Sequence, residues 1–431
     1  MLSWLFQAWS QPAPQILSTS LDILDDPLQH PAMTCLRDLV VLGGGGSWPP
    51  RASYRDTWPP PLRAYDSVWR AMEASFPVSQ SSTDMAHNRT LIDSFRSRMR
   101  SQLEQQVTIG NVQFALQRAE SDPESCSQAA WLGFWLCVSI LRHSYRWGVS
   151  PIVSEAQREI SLHLPEQLEV PWRYLQRHFG TTSPSGCMTS LIYSNMRSDN
   201  RLEYSVNVGM PESHRSTEFW NTKLVRDMEE RVLPVYHLFA HAIAFLDAGD
   251  LLAARAALSS ANAVLRPAFK YFFTSLVDAN LSQGLWLPYV QGYQGWTLGG
   301  VDGISGGQSL MFRTLDAFLG IRPFHAPEKE ALHIPAAQRA WLDFLREYDI
   351  RAAVKARGED GAALTAELEA LVKQLRLWRM GHMRRMQPYE SVHRPERKTM
   401  TAGISVVDAR NGDQMIEHLK RELGQRLTQT V

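Results

Sequence analysis

The stretch Leu364–Met386, LTAELEALVKQLRLWRMGHMRRM, decides how the chain folds. Its apolar residues Leu364, Leu368, Leu371, Leu375 and Trp378 fall four, three, four and three positions apart, the spacing of one buried helix face. Continued by four, that face reaches His382 and then Met386. Burial disfavours a charged imidazole, so His382 is expected to be neutral, the form a metal ligand needs. A core histidine satisfied by neighbouring groups fits the same pattern. Gly381 costs a helix roughly 1 kcal/mol relative to alanine, which suggests that something approaches closely there. Arg376, Arg379, Arg384 and Arg385 either solvate a helix end and complement its dipole or engage a buried carboxylate.

The same periodicity recurs outward from this helix. Thr217–Leu246, Asp250 to about Leu281, LMFRTLDAFLGI (310–321) and HIPAAQRAWLDFLREY (333–348) all read as helices. A helical region is expected from about Leu62 to Gly148, with heptad-like spacing between Leu91 and Leu116. Pro171 is expected to start a short helix in LPEQLEVPWRYLQRHF (164–179). EYSVNV (203–208) is the one place where a short strand is expected. There is no alternation of strands and helices and no internal repeat, so the class is mainly α.

Residues 1–61 are rich in Pro, Gly and Ser and are read as irregular, above all GGGGSWPPRASYRDTWPPP (43–61). A small helical domain over 62–180 and a larger helical domain over 181–431 are expected to follow.

Lys+Arg and Asp+Glu both number 44, so no net field draws the chain to nucleic acid or an anionic membrane. Four cysteines (Cys35, Cys126, Cys137, Cys187) with no CxxC pattern suggest reduced thiols. The N-terminus lacks the pattern of a secretory signal. The apolar run from Ala129 meets Arg142 after 13 residues, too short for a membrane span. A cytoplasmic protein is expected.

GGVDGISGGQS (299–309) carries five glycines in eleven residues directly before an apolar helix. Glycine permits positive φ and close backbone approach to a ligand, but the phosphate-binding spacings are absent. His237 and His241 form an i,i+4 pair able to clip a metal, yet no further ligand is evident nearby in the sequence. No nucleophile elbow is present.

Taken in order, several segments resemble the indoleamine 2,3-dioxygenase family of haem enzymes. HSYRWG (143–148) resembles its Tyr-x-Trp-Gly motif, and LPEQLEVPWRYLQRHFG (164–180) its Val-Pro-aromatic segment. GISGGQSLMFRTLDAFLGI (303–321) resembles its glycine loop and following helix, and HIPAAQRAWLDFL (333–345) its Pro-x-x-x-Arg-x-x-Leu segment. The last long helix carries an Arg three residues before a His, as the family does at its iron ligand. NGDQMIEHLKREL (411–423) is similar to the family's closing helix. The likeness spans roughly residues 130 to 425 and extends to haem enzymes of pyrrolnitrin biosynthesis.

The resemblance implies a helical haem fold with a small N-terminal domain on a larger haem-binding one. It implies haem b, with His382 as proximal iron ligand, Arg379 on a propionate, and Ser305 and Gly306 beside haem and substrate. Phe219 and Thr222 fall near the family's distal pocket. The implied reaction inserts both atoms of O₂ across the C2–C3 bond of an indole such as tryptophan or a derivative. Monooxygenase, peroxygenase or rearrangement chemistry on an aromatic amine is the alternative, and a non-catalytic haem sensor a further one. Where the family carries the arginine that binds the substrate carboxylate, this chain has Val290, with Tyr289 beside it. The family's Gly-Thr-Gly-Gly loop is replaced by SVVDARNGDQM (405–415), in which Arg410 could hold a carboxylate instead. A specialised indole substrate is therefore expected.

Overall fold

The computed structural model describes residues 19–51, 53, 55–73, 85–148, 159, 161–296, 298–301, 303–323, 325–390, 421 and 424–430. These are mainly helical, and no strand occurs among them. In chain order the helices are α1 (Ser20–Asp25), α2 (Pro31–Asp38), α3 (Arg63–Glu73), α4 (Met85–Gln106), α5 (Ile109–Ser121), α6 (Gln128–Trp147) and α7 (Glu166–Phe179). They continue with α8 (Glu212–Asp247), α9 (Leu251–Ser275), α10 (Leu310–Phe318), α11 (Pro327–His333), α12 (Ala336–Tyr348), α13 (Ile350–Lys355) and α14 (Ala362–Glu390). No helix among the described residues is long and apolar enough to cross a membrane.

The antiparallel pair α8 and α9 forms the centre, and α14 packs along α9. Between α8 and α9, Gly249 adopts a positive φ of 79° and Asp250 caps α9 by accepting from the Ala253 amide at 2.9 Å. On α14, Leu364, Leu368, Leu371, Leu375 and Trp378 are all buried, as the stripe requires. Each buried leucine contributes up to roughly 2–3 kcal/mol.

Four expectations need correction. The described part of the N-terminal segment is irregular over most of 44–61 but not before it: α1 and α2 are capped by Thr19 and His30, and α2 packs on α8 and α12. The heptad-like run divides at Val107–Thr108 into α4 and α5. Residues 203–208 form bends, not a strand, because the Glu218 carboxylate takes the amides of Val206 (2.7 Å) and Asn207 (2.9 Å) that a ladder would use. Helix α7 starts at Glu166 and runs through Pro171. Proline leaves the Gln167 carbonyl without its helical donor, and the Tyr65 hydroxyl donates to it at 2.5 Å.

Helix α6 reaches well past the point where charge begins. Arg142 is buried: its guanidinium lies over the Trp172 ring and donates to Glu169 (2.8 Å) and to the Pro184 carbonyl (3.1 Å). Glu229 ties the centre together with a fully buried carboxylate. It accepts from Trp48 Nε1, the Tyr193 hydroxyl and the Met311 amide at 3.0 Å, and from the Tyr236 hydroxyl at 2.5 Å. Those bonds fix the start of α10, and with it the end of the glycine loop.

Candidate functional site

His382 lies on α14 with its imidazole stacked on Trp378, centroids 4.7 Å apart, and tilted toward Phe272 at 5.6 Å. Part of its surface stays accessible, yet the protein crowded around the ring makes its charged form costly. Burial, with the Arg379 guanidinium second, pushes the imidazole down to about 4, so it is neutral at neutral pH. Neither ring nitrogen has a hydrogen-bond partner among the described residues. A fully buried imidazole elsewhere in the core, His143, contrasts with it. Its Nδ1 donates to the Tyr293 carbonyl (2.9 Å) and its Nε2 accepts from the Gly186 amide (3.1 Å). His143 is a saturated core residue, and His382 is not.

Gly381 has a local explanation. A Cβ there would stand 2.7 Å from the Phe273 ring, so the close approach that glycine permits is made by that ring of α9. The four arginines also separate. Arg384 is exposed, Arg385 donates to the Leu276 carbonyl beyond the end of α9 (3.1 and 2.9 Å), and Arg376 donates to the Thr430 carbonyl (3.1 Å). Arg379 turns inward and binds both oxygens of Asp316 on α10, at 2.7 and 2.9 Å. Arg426 donates to the same carboxylate, so two buried guanidiniums share one counter-charge. Phe312, one turn before Asp316, packs on Trp378 at 4.1 Å and completes the contact between α10 and the histidine helix.

Thr222 and Val290, assigned separately from the sequence, come together. They line a narrow cavity of about 20 Å³, room for about one water, with Ile140, Glu218, Tyr293 and Gln294 among the other walls. Val290 belongs to a π-helical turn, Trp286–Gln291, a form found often at functional positions. The glycine loop is pinned to that turn: Gln291 Nε2 donates to the Ile304 carbonyl (2.9 Å) and the Ile304 amide to the Gln294 carbonyl (3.1 Å). A Cβ on Gly303 would strike the Gln294 carbonyl oxygen at 2.0 Å, so this glycine is required by packing. Ser305, buried, accepts from the Gly307 amide (3.1 Å), and Gly306 is exposed with nothing near its missing Cβ.

Glu218 sets the polarity of the cavity. It is buried and accepts from the Val206 and Asn207 amides, Ser205 Oγ (2.8 Å) and Asn207 Nδ2 (3.0 Å). Burial raises its carboxyl above the ordinary range, with those four donors opposing the shift. The cavity and the histidine helix meet through Trp286, whose Nε1 donates to Asn221 (2.8 Å) and whose ring abuts Tyr389 of α14 at 6.0 Å. Phe219 and Tyr289 do not line the cavity; Phe219 meets Trp220, and Tyr289 packs edge-on against His214 at 4.5 Å. Arg410 lies outside the described residues.

Sequence reading gave no role to His143, Glu218 or Asp316. Asp316 stands in the quoted glycine-loop segment, and its pairing with Arg379 across 63 residues has no local signature. No protein-family model matches this chain, and no curated protein matches it either.

Proposed function

We propose that this chain binds a b-type haem through His382 and oxygenates an indole or related aromatic ring, on a fold of the indoleamine 2,3-dioxygenase kind. One observation carries the reading: His382 offers a neutral imidazole on a buried helix face with both nitrogens unengaged by described residues. Core histidines ordinarily spend those nitrogens on hydrogen bonds, as His143 does. When bound, a haem supplies O₂ binding and oxygen transfer to an electron-rich ring.

The chain's own residues supply the rest. Arg379 and Arg426 converge on Asp316 beside the histidine helix, and a guanidinium placed there suits a carboxylate such as a propionate. Trp378 stacks on the imidazole and Phe272 packs beside it, which together fix the ring's orientation. Ile140, Val290 and Tyr293 give the cavity apolar walls, and Glu218 with Thr222 favours an N–H or amine; side chains around it would have to move apart to admit a flat ring. Valine at 290 offers no partner for a substrate carboxylate, which favours an indole or aromatic amine over a free amino acid.

The test is turnover of haem-reconstituted, reduced protein under isotopically labelled O₂ with a panel of indoles and aromatic amines. Two labelled atoms in one product are expected. One labelled atom would replace dioxygenation by monooxygenation, and no oxygen uptake with any member of the panel would overturn the enzymatic reading.

A further inference from the structure

We propose that Asp26, His237 and His241 form a second site, which binds a divalent transition metal of the zinc class and clamps the N-terminal helices to α8. It lies apart from the His382 region and does not depend on the haem reading. The two histidines stand one turn apart on α8, so their rings share a face. Asp26, the residue closing α1, arrives from 211 positions away. Its Oδ2 lies 2.8 Å from His237 Nε2 and 2.8 Å from His241 Nε2, and the two nitrogens are 3.2 Å apart.

Three ligand atoms therefore converge on one point. A tetrahedral zinc with bonds of about 2.0–2.1 Å to nitrogen and oxygen needs ligand atoms roughly 3.3 Å apart. The observed triangle reaches that size by opening a few tenths of an ångström. Hydrogen bonding alone satisfies the group poorly. To serve Oδ2, both imidazoles must aim an Nε2–H at it, which brings two like dipoles face to face at 3.2 Å. A cation at the centre instead meets lone pairs from both rings.

The surroundings suit a metal. The Leu28 amide donates to Asp26 Oδ1 at 2.8 Å, which fixes the carboxylate and leaves Oδ2 as ligand, the usual work of groups behind a metal ligand. The side chains of Asp26 and His237 are 10% exposed and His241 24%, so an ion has an approach from solvent past His241. Asp22 lies within electrostatic reach of His237 and adds negative charge. Arg37 is the nearby cation, occupied by the carbonyls of Asp26 and Leu28. Two imidazoles and one carboxylate leave a fourth position for water, a set that suits zinc and, more weakly, cobalt.

The experiment uses full-length protein dialysed against chelator, then given zinc chloride, with zinc and iron quantified separately. The proposal expects one zinc per chain and a Tm rise of about 3–6 °C at saturating zinc. His241→Ala and Asp26→Asn are expected to keep the wild-type helical circular dichroism and to bind zinc roughly tenfold or more weakly, with the shift lost. His241→Gln serves if the alanine variant does not fold. Wild-type protein that takes up no zinc and shows no Tm shift overturns the site, as does equal zinc binding by wild type and variants. Iron content moves independently of these outcomes, so failure of the haem reading is distinguishable.

Discussion

Replacing Asp316 with alanine removes the one carboxylate that two buried guanidiniums share. Arg379 is 8% exposed and Arg426 9%, and the variant leaves both cations facing each other across a vacated anion site. Removing one partner from a buried ion pair costs about 3–5 kcal/mol, mostly because the other charge stays buried and unpaired. Arg379, which keeps the Thr430 hydroxyl but no other carboxylate among its described partners, pushes toward the top of that range. Arg426 lowers it again by keeping the Arg322 carbonyl (2.6 Å) and Gln429 Oε1 (2.9 Å) as neutral acceptors. We expect a loss of about 4 kcal/mol, read by urea denaturation followed by circular dichroism, and a Tm fall of about 6–10 °C. Arg379→Met in the same chain removes one stranded cation and is expected to recover about 2 kcal/mol, so the two substitutions are non-additive. A loss below about 1 kcal/mol for Asp316→Ala, or strict additivity, would refute the argument that this carboxylate holds the arginines in place.

Further outcomes follow from the same structure. Glu218→Ala removes the acceptor of four donors, of which Asn207 Nδ2 keeps the Tyr289 carbonyl, and is expected to cost about 3 kcal/mol, with faster hydrogen exchange at the Val206 and Asn207 amides; unchanged exchange would contradict it. Burial pushes His143 down to about 4 from an ordinary 6.5, so the unfolded chain binds more protons between those values. Stability is therefore expected to fall as pH drops through that window, by about 1.5 kcal/mol from this residue between pH 6.5 and 5. His143→Gln should remove that share of the slope, and a parent profile that rises toward acid would refute it. Tyr65→Phe leaves the Gln167 carbonyl orphaned in front of Pro171, an expected loss of about 1–2 kcal/mol by the same denaturation assay.

What the sequence made legible follows from which forces act locally. The buried stripe of α14, and helices α6, α8, α9 and α12, could be read because a 3.6-residue apolar period survives in the chain whatever it packs against. Helices α1 and α2 escaped notice because Pro, Gly and Ser dominate the composition around them, while their stability comes from packing on α8 and α12. The expected strand at 203–208 failed because a side chain distant in sequence, Glu218, captured its amides. Pro171 misled for a similar reason: its cost is offset by Tyr65, about a hundred residues away. At the site, Thr222 and Val290 were singled out for separate reasons, and the structure joins them in one cavity. The glycine beside His382 pointed elsewhere than expected, to the Phe273 ring. His237 and His241 looked short of ligands because Asp26 becomes their neighbour only in three dimensions.

Haem binding depends on the imidazole at position 382, and haem titration tests that dependence most directly. Purified protein mixed with one equivalent of haemin is expected to develop a Soret band with one haem per chain. His382→Ala should abolish tight binding or change the ligation spectrum, while His143→Gln should leave both intact. Indistinguishable spectra and affinities for the parent protein and His382→Ala would contradict the assignment, as would a parent protein that takes up no haemin.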